Sequence, residues 1–293
     1  FFTPAAVDAL LQRHGELDFH GHLWPLIAKE AGFYYYRELL TGSPDRCAMD
    51  WDTFAARYEP LDWYSSGRAD LVAAAVPDTG LRLDLERLDR PFAGRRFADH
   101  RAVQDAVAGY IEDDLALRDS TDHPETLALF LGLLHVYMEV GRVVPADRLN
   151  ARSQQTVHGW WHGFFSFVDS GPPPHRLRQM LALHRAGLLQ FLGPGLEVGT
   201  DEATGTFVAS SPQTGATVAA RAFIEARLPT TSVVRSLNPV LASLHGTGLG
   251  TEQQLLTADG IHSTGKLLVT PQHRLVRADG KPAETVFGVG PGT

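Results

Sequence analysis

Cysteine is nearly absent: Cys47 stands alone in 293 residues. That excludes an internal disulfide framework and any multi-cysteine zinc or iron–sulfur centre, and it favours a reducing compartment. Cys47 itself shows no neighbouring base in sequence and is a poor candidate nucleophile. Positive charge is also in deficit, with 26 Lys and Arg against 34 Asp and Glu, a net charge of −8. A phosphate backbone calls for a basic surface, so nucleic-acid binding is not expected. Long apolar runs are missing too. The longest, Leu127 to Val140, carries His135 and Glu139 and falls short of the roughly 20 residues a bilayer demands. It reads as a buried helix, and no membrane is expected as a partner. Phe1-Phe2-Thr3-Pro4 is not the basic-then-apolar start of a secretory signal, so a cytoplasmic location is expected. Its first residue, Phe1, is not methionine, which reads as a processed chain or one piece of something longer.

Several motifs are missing as well. The chain has no G-x-G-x-x-G, no G-x-x-x-x-G-K-[ST], no H-E-x-x-H and no G-x-S-x-G. The glycine-rich run Gly246-Thr247-Gly248-Leu249-Gly250 lacks the strand-then-helix setting of a phosphate site. No complete active-site motif is present.

What is there has two textures. The first two-thirds repeats apolar residues at helical spacing. Thr3 followed by Pro4 starts one helix, and Trp24 to Leu40 forms a second, closed by Gly42-Ser43-Pro44. Asp50 to Asp84 reads as short helices and loop. Asp99 caps a helix from Arg101 to Leu117 with Val103, Val107, Tyr110 and Leu115 inward. Leu127 to Val140 follows as a buried helix, and His158 to Phe167 is a further apolar segment. After the rigid break Gly171-Pro172-Pro173-Pro174, a last helical face runs Leu177, Met180, Leu181, His184, Leu188. Near Gly193 the period changes. Leu196 to Val198 and Thr206 to Ser210 read as a hairpin, with a third strand-rich segment at Thr217 to Ala226. Asn238-Pro239 starts a short helix, and Leu267 to Thr270, Arg274 to Arg277 and Thr285 to Val289 read as short strands. The fold class is therefore α/β in the α+β sense. A mainly helical substrate or partner region, 1–192, precedes an α/β tail, 193–293.

Histidine is the enriched reactive type, with 13 residues. His20-Gly21-His22 brings two imidazoles close, and His158 and His162 share a helix face four residues apart. With Asp169 as a third ligand the latter pair would hold a metal; the alternatives are pocket or proton-transfer residues, or polar residues at a packed surface. Trp160, Trp161, Phe164, Phe165 and Phe167 surround them, a density that lines either a pocket or a core. Tyr34-Tyr35-Tyr36 cannot all face one way on a helix. Tyr35 or Tyr36 is a candidate general acid or stacking ring. Glu225 and Arg227 read as a surface pair at a strand end closed by Pro229.

Several stretches stand in a telling order: Leu23-Trp24-Pro25-Leu26-Ile27-Ala28-Lys29-Glu30, Leu181-Ala182-Leu183-His184-Arg185-Ala186-Gly187, Phe191-Leu192-Gly193-Pro194-Gly195, Thr264-Gly265-Lys266-Leu267-Leu268-Val269-Thr270-Pro271 and Phe287-Gly288-Val289-Gly290-Pro291. Their order resembles the middle and C-terminal part of the actinobacterial FAD/NAD(P)-binding protein family, flavin monooxygenase-like oxidoreductases. The resemblance implies the substrate and C-terminal parts of a two-dinucleotide-binding flavoprotein. It implies FAD as cofactor, NAD(P)H as reductant and a small-molecule substrate. The Gly-rich FAD-binding segment of that family is missing here, so a second polypeptide is expected to carry it. By the same resemblance Gly288, Val289, Gly290 and Pro291 form a cofactor-facing turn, and His158, His162 and Tyr35 are the candidate catalytic residues. Two other accounts stay open: a cofactor-free cyclase or isomerase on a degenerate flavoprotein fold, and a non-catalytic partner subunit.

Overall fold

The computed structural model describes residues 1–226, 232–257 and 260–290. Its centre is a helix pair. Helix α1 (Pro4–His14) starts where the Thr3 hydroxyl accepts the Ala6 N–H at 3.2 Å. Helix α2 (Trp24–Gly42) then runs through the middle of the helical body and packs along α7 (Pro124–Val143). Ile27, Ala31 and Leu39 of α2 meet Leu129, Leu133, Val136 and Val140 of α7 in one apolar core. Gly132 sets how closely they approach, since a Cβ there would lie 3.1 Å from the Tyr34 Cβ.

On the other side of α2 lie α3 (Trp51–Tyr58) and α4 (Ser66–Ala75), begun by the caps Asp50 and Ser65. The Tyr58 hydroxyl donates to the Lys29 carbonyl at 3.1 Å, and Lys29 Nζ donates to the Glu59 carbonyl at 2.6 Å. Gly32 is required beneath them: a Cβ there would stand 2.7 Å from Tyr58 Oη and 2.9 Å from Trp63 Cζ3. Neither ring can move without disturbing the core, so Gly32→Ala should cost about 1–3 kcal/mol by overpacking. Gly141→Ala, where an added Cβ meets nothing within 4 Å, should instead stabilise by about 0.5–1 kcal/mol. Urea unfolding of the two variants tests this, and equal midpoints would refute it.

Helix α5 (Leu85–Asp89) is a single turn capped by Asp84. Helix α6 (His100–Asp119) starts at the expected cap, with Asp99 accepting the Ala102 N–H at 2.8 Å. It packs on α10 (Pro174–Arg185) through a second small cluster, Ile111, Leu115, Leu177 and Leu181. In sequence between α7 and α10, α8 (Ala151–Thr156), a π-helical turn (Val157–Trp161) and α9 (His162–Asp169) run on as one helix.

Three burial expectations are corrected. Tyr110 faces outward and Ile111 takes its inward place, because α10 covers the Ile111 side of α6. Helix α7 is buried on one face only. By length and composition it is apolar enough to cross a membrane, yet only its α2-facing stripe is covered, and Leu127, Leu131 and Met138 are exposed. Leu188 is exposed beyond the end of α10, because the helix stops at Arg185.

The C-terminal third is β-rich. Strands β1 (Glu197–Asp201), β2 (Thr206–Ser211) and β3 (Ala216–Ala220) form an antiparallel meander, which realises the expected hairpin and ends the third strand earlier than Ala226. After α11 (Pro239–Gly246), capped by Asn238, come the hairpins β4 (Glu252–Thr257)–β5 (Gly260–Leu267) and β6 (Arg274–Val276)–β7 (Pro282–Phe287). The strand expected at Leu267 to Thr270 is reduced to a single bridge between Val269 and Leu275. Val233, Leu267, Leu275 and Ala283 make a third small core. Every strand pair named among the described residues is antiparallel.

Candidate functional site

Two π-helical turns face each other near the N-terminus, each holding aromatic rings. Such turns recur at functional sites, because the extra residue per turn re-aims side chains. The first (Phe19–Leu23) is organised by Asp18. Its carboxylate accepts the Gly21 N–H at 2.6 Å and the Asn150 amide at 3.1 Å. The buried Ser153 hydroxyl accepts the Phe19 N–H at 2.7 Å and donates to Asp18 at 3.4 Å. Asn150 also caps α8, so one polar knot ties the first π-turn to the helix that carries the second. Burial pushes the Asp18 carboxyl up, but the Gly21 and Asn150 hydrogen bonds and the nearby His22 outweigh it and hold it below the ordinary value.

Across this knot Trp160 and Trp161 meet Phe19, His20 and Trp24. Trp161 lies 5.8 Å from Phe19, Trp160 lies 4.9 Å from His20, and Trp24 stands edge-on to Trp160 at 5.0 Å. Trp160 stacks on Phe164 and donates its Nε1–H to Asp89 at 2.9 Å. The aromatic segment is therefore mostly core, with Trp161, Phe164 and Phe165 buried and Phe167 exposed.

Trp24 is where this core reaches a cleft of about 1050 Å³. The cleft lies over α4, α5 and α6, with Trp24 and Tyr35 on its floor and Arg68, Arg82, Arg87 and Arg95 on its walls, interspersed with carboxylates such as Asp84 and Asp113. Arg68 lies over the Trp63 ring at 4.0 Å. Arg82 is tied to the Val76 and Pro77 carbonyls at 2.9 and 3.0 Å. Arg95 lies over Phe97 at 5.1 Å. Arg87 is exposed on α5. Tyr35 and Tyr36 hold the Leu81–Leu83 edge: Tyr35 donates to the Leu81 carbonyl at 3.0 Å, and Tyr36 accepts the Leu83 N–H at 3.1 Å. Burial, with Glu125 nearby, pushes the Tyr35 phenol far up, and burial pushes Tyr36 up to about 12. Both stay protonated at neutral pH. The third tyrosine, Tyr34, is half-buried against α7.

The other sequence candidates lie elsewhere. His158 and His162 are both exposed, and His162 Nδ1 pairs with the Tyr137 hydroxyl at 2.7 Å. Crowding lowers the His158 imidazole, as do Lys266 and His162. Among the described residues no three His, Cys, Asp or Glu side chains converge to hold a metal. Cys47 is half-buried, and burial raises its thiol. In the Gly288 turn, the Gly288 N–H is already donated to the His273 carbonyl at 2.8 Å, and Val289 is exposed. Pro291 lies outside the described residues, as do Arg227 and Pro229. The Gly246–Gly250 run closes α11, with the Gly248 and Gly250 N–H groups spent on the His245 and Leu244 carbonyls.

Arg87, Arg95 and Asp89 were not singled out from the sequence. The signal that could have found them is the dense alternation of charge from Arg82 to Arg96, which α5 folds against the cleft.

His14 and His22 stack at 4.0 Å, and His22 Nδ1 accepts the Asp18 N–H at 3.0 Å. Burial lowers the His22 pKa, as does His14, while Asp18 raises it. A lowered folded pKa means the unfolded chain binds the proton first. The contribution of His22 is thus complete above about pH 6.5 and is lost as the pH falls below it. Urea midpoints between pH 7.5 and 5 should fall less steeply for His14→Ala than for the parent; parallel curves would refute the coupling.

No protein-family model matches the chain. Over 98% of its length it is 34% identical to an L-aspartate N-monooxygenase (nitrosuccinate-forming) of Streptomyces cremeus, of which it covers 44%. It is 29% identical to the enzyme of the same name from Streptomyces davaonensis, covering 45% of it. To the nitrosuccinic acid synthase of Aspergillus oryzae it is 27% identical over 99% of its length, covering 44% of that protein. The chain therefore spans less than half the length of these relatives, and over nearly all of its own length it is similar to nitrosuccinate-forming enzymes of Streptomyces and Aspergillus.

Proposed function

We propose that these 293 residues form the substrate-side portion of a flavin-dependent N-monooxygenase acting on a small acidic amino acid, with L-aspartate as the first substrate to test. The observation that carries this reading is the near-complete match of the chain to three nitrosuccinate-forming enzymes. The cleft supports it chemically. A dicarboxylate is held best by guanidinium groups, which donate in pairs to a carboxylate, and Arg87 and Arg95 line a cleft floored by Trp24 and Tyr35.

The described residues do not fit the nucleotide half of FAD. They offer no strand, Gly-rich turn and helix in sequence, and the Gly248, Gly250 and Gly288 N–H groups are already donated to carbonyls. The flavin, when bound, supplies the redox chemistry; no step is assigned to it on these residues. In this reading the nucleotide-binding half and the NAD(P)H site belong to the portion of the relatives that this chain does not match, whether on the same polypeptide or on a second one. This chain's share is to bind and orient the amino acid and to exclude water with its aromatic floor.

The test is purification from the natural host with all companions retained, followed by native mass spectrometry, an absorption spectrum and a nitrosuccinate assay with L-aspartate and NADPH. A yellow preparation that converts L-aspartate is expected. A colourless chain of about 32 kDa that takes up no added FAD, with no larger polypeptide or companion, would overturn the proposal and return attention to a cofactor-free pocket.

A further inference from the structure

Among the described residues, one face of the β1–β3 meander is apolar and only partly covered. Its register puts Val198 opposite Ala209 and Ala209 opposite Val218, with Thr200, Phe207 and Ala220 aligned in the next row. Because side chains alternate across a strand, these residues share one side. Glu197, Gly199 and Asp201, with Val208, Ser210, Thr217 and Ala219, share the other. That is the alternation of a sheet with one face packed and one solvated. Yet Val198 and Val218 are each 40% exposed, Leu196 just before β1 is 52% exposed, and no residue of these strands joins any of the three apolar clusters. Phe223 lies 5.5 Å from Phe207 at the same sheet and is itself exposed, as is Ile224. The meander is anchored at one end, where Ser211 and Thr214 donate to the Pro194 and Leu192 carbonyls. A three-stranded sheet needs its apolar face covered to be stable.

We infer that this face, centred on Val198, Ala209 and Val218, docks the polypeptide segment corresponding to the part of the nitrosuccinate-forming N-monooxygenases that this chain does not match. The occupant follows from length. The chain aligns over at least 98% of itself but over only 44–45% of each relative, so more than half of the homologous fold lies outside it. The inference rests on the proposed oxygenase reading. An exposed apolar surface marks an interaction site, and the register puts Val198, Ala209 and Val218 side by side on one face of the sheet.

Photo-crosslinking in the host tests it. The photoreactive residue p-benzoylphenylalanine is placed at Leu196, Val198 or Val218, and at Thr217 on the opposite face as control. After irradiation of the whole complex, cross-linked peptides are sequenced by mass spectrometry. Leu196, Val198 and Val218 should each capture peptides of that unmatched segment at least tenfold more than Thr217 does. Capture of residues 1–293 from a second copy, equal capture from both faces, or no capture at any of the three positions would overturn the docking. Should the purified complex hold no such segment at all, the oxygenase reading falls with it. Should the segment be present and active but beyond reach of the three probes, the docking alone falls.

Discussion

Trp161→Ala should destabilise the helical body by about 3–5 kcal/mol, the largest loss expected from any single side chain here. Trp161 is 2% exposed and touches rings on three separate segments: Phe19 at 5.8 Å, Tyr137 at 5.7 Å and Phe164 at 6.2 Å. Two of those rings are fixed from other elements. Phe19 is held by the Asp18–Ser153 knot, and Tyr137 by α7 and its stack on Phe165. The site therefore has little freedom to collapse, and the cavity cost adds to the lost burial. Phe167→Ala is the control. Its ring is 50% exposed, and the change should stay within about 0.5 kcal/mol of the parent. Denaturant unfolding followed by far-ultraviolet circular dichroism measures both. A Trp161→Ala loss below about 1.5 kcal/mol would mean that the second π-turn relaxes into the gap, and that the two π-turns are not a rigid pair.

If the proposed oxygenase reading holds, Arg87→Gln raises the KM for an acidic amino-acid substrate about 10- to 100-fold while leaving kcat within about twofold. Charge-assisted hydrogen bonds are worth about 1.5–3 kcal/mol, and each 1.4 kcal/mol is tenfold in affinity. Arg87 sits on a single exposed turn, α5, capped by Asp84. Removing its charge leaves the core intact, so a folding defect will not imitate a binding defect. An interaction made equally in ground and transition states appears in KM alone. The same variant should lose discrimination between an acidic substrate and its amide. A fall in kcat with KM unchanged would remove Arg87 from substrate binding and point to a role in closing the cleft.

The helical skeleton was legible because its signals are local. Thr3, Asp50, Ser65, Asp99 and Asn238 each accept a backbone N–H two or three residues ahead, and that geometry needs no information from the rest of the chain. The change of period near Gly193 was equally local, and the β1–β2 hairpin followed from it. The β4 strand was missed because Glu252-Gln253-Gln254 shows no apolar alternation; it pairs with β5 through backbone hydrogen bonds. Tyr110 was turned inward by periodicity, whereas the position of α10 decides which side of α6 is covered.

The candidate site was far less legible. Tyr35 reached the cleft as part of its floor, but with its hydroxyl spent on Leu81. His158 and His162 are on an exposed surface beside Tyr137 and Lys266. Arg87 and Arg95 were hidden in a densely charged stretch.

The amino-acid order by itself determined where helices start, where the chain turns to strands, and that no nucleotide-binding glycine motif is present. Each depends on contacts within a few residues. Only the tertiary structure decided that two π-turns meet ring to ring, that α5 lays its arginine along a cleft, and that the meander shows its apolar face to solvent. Those facts depend on residues far apart in sequence, such as Asp18 with Ser153 and Trp160 with Asp89. No local propensity encodes such pairings; they form because the core can close only when they meet.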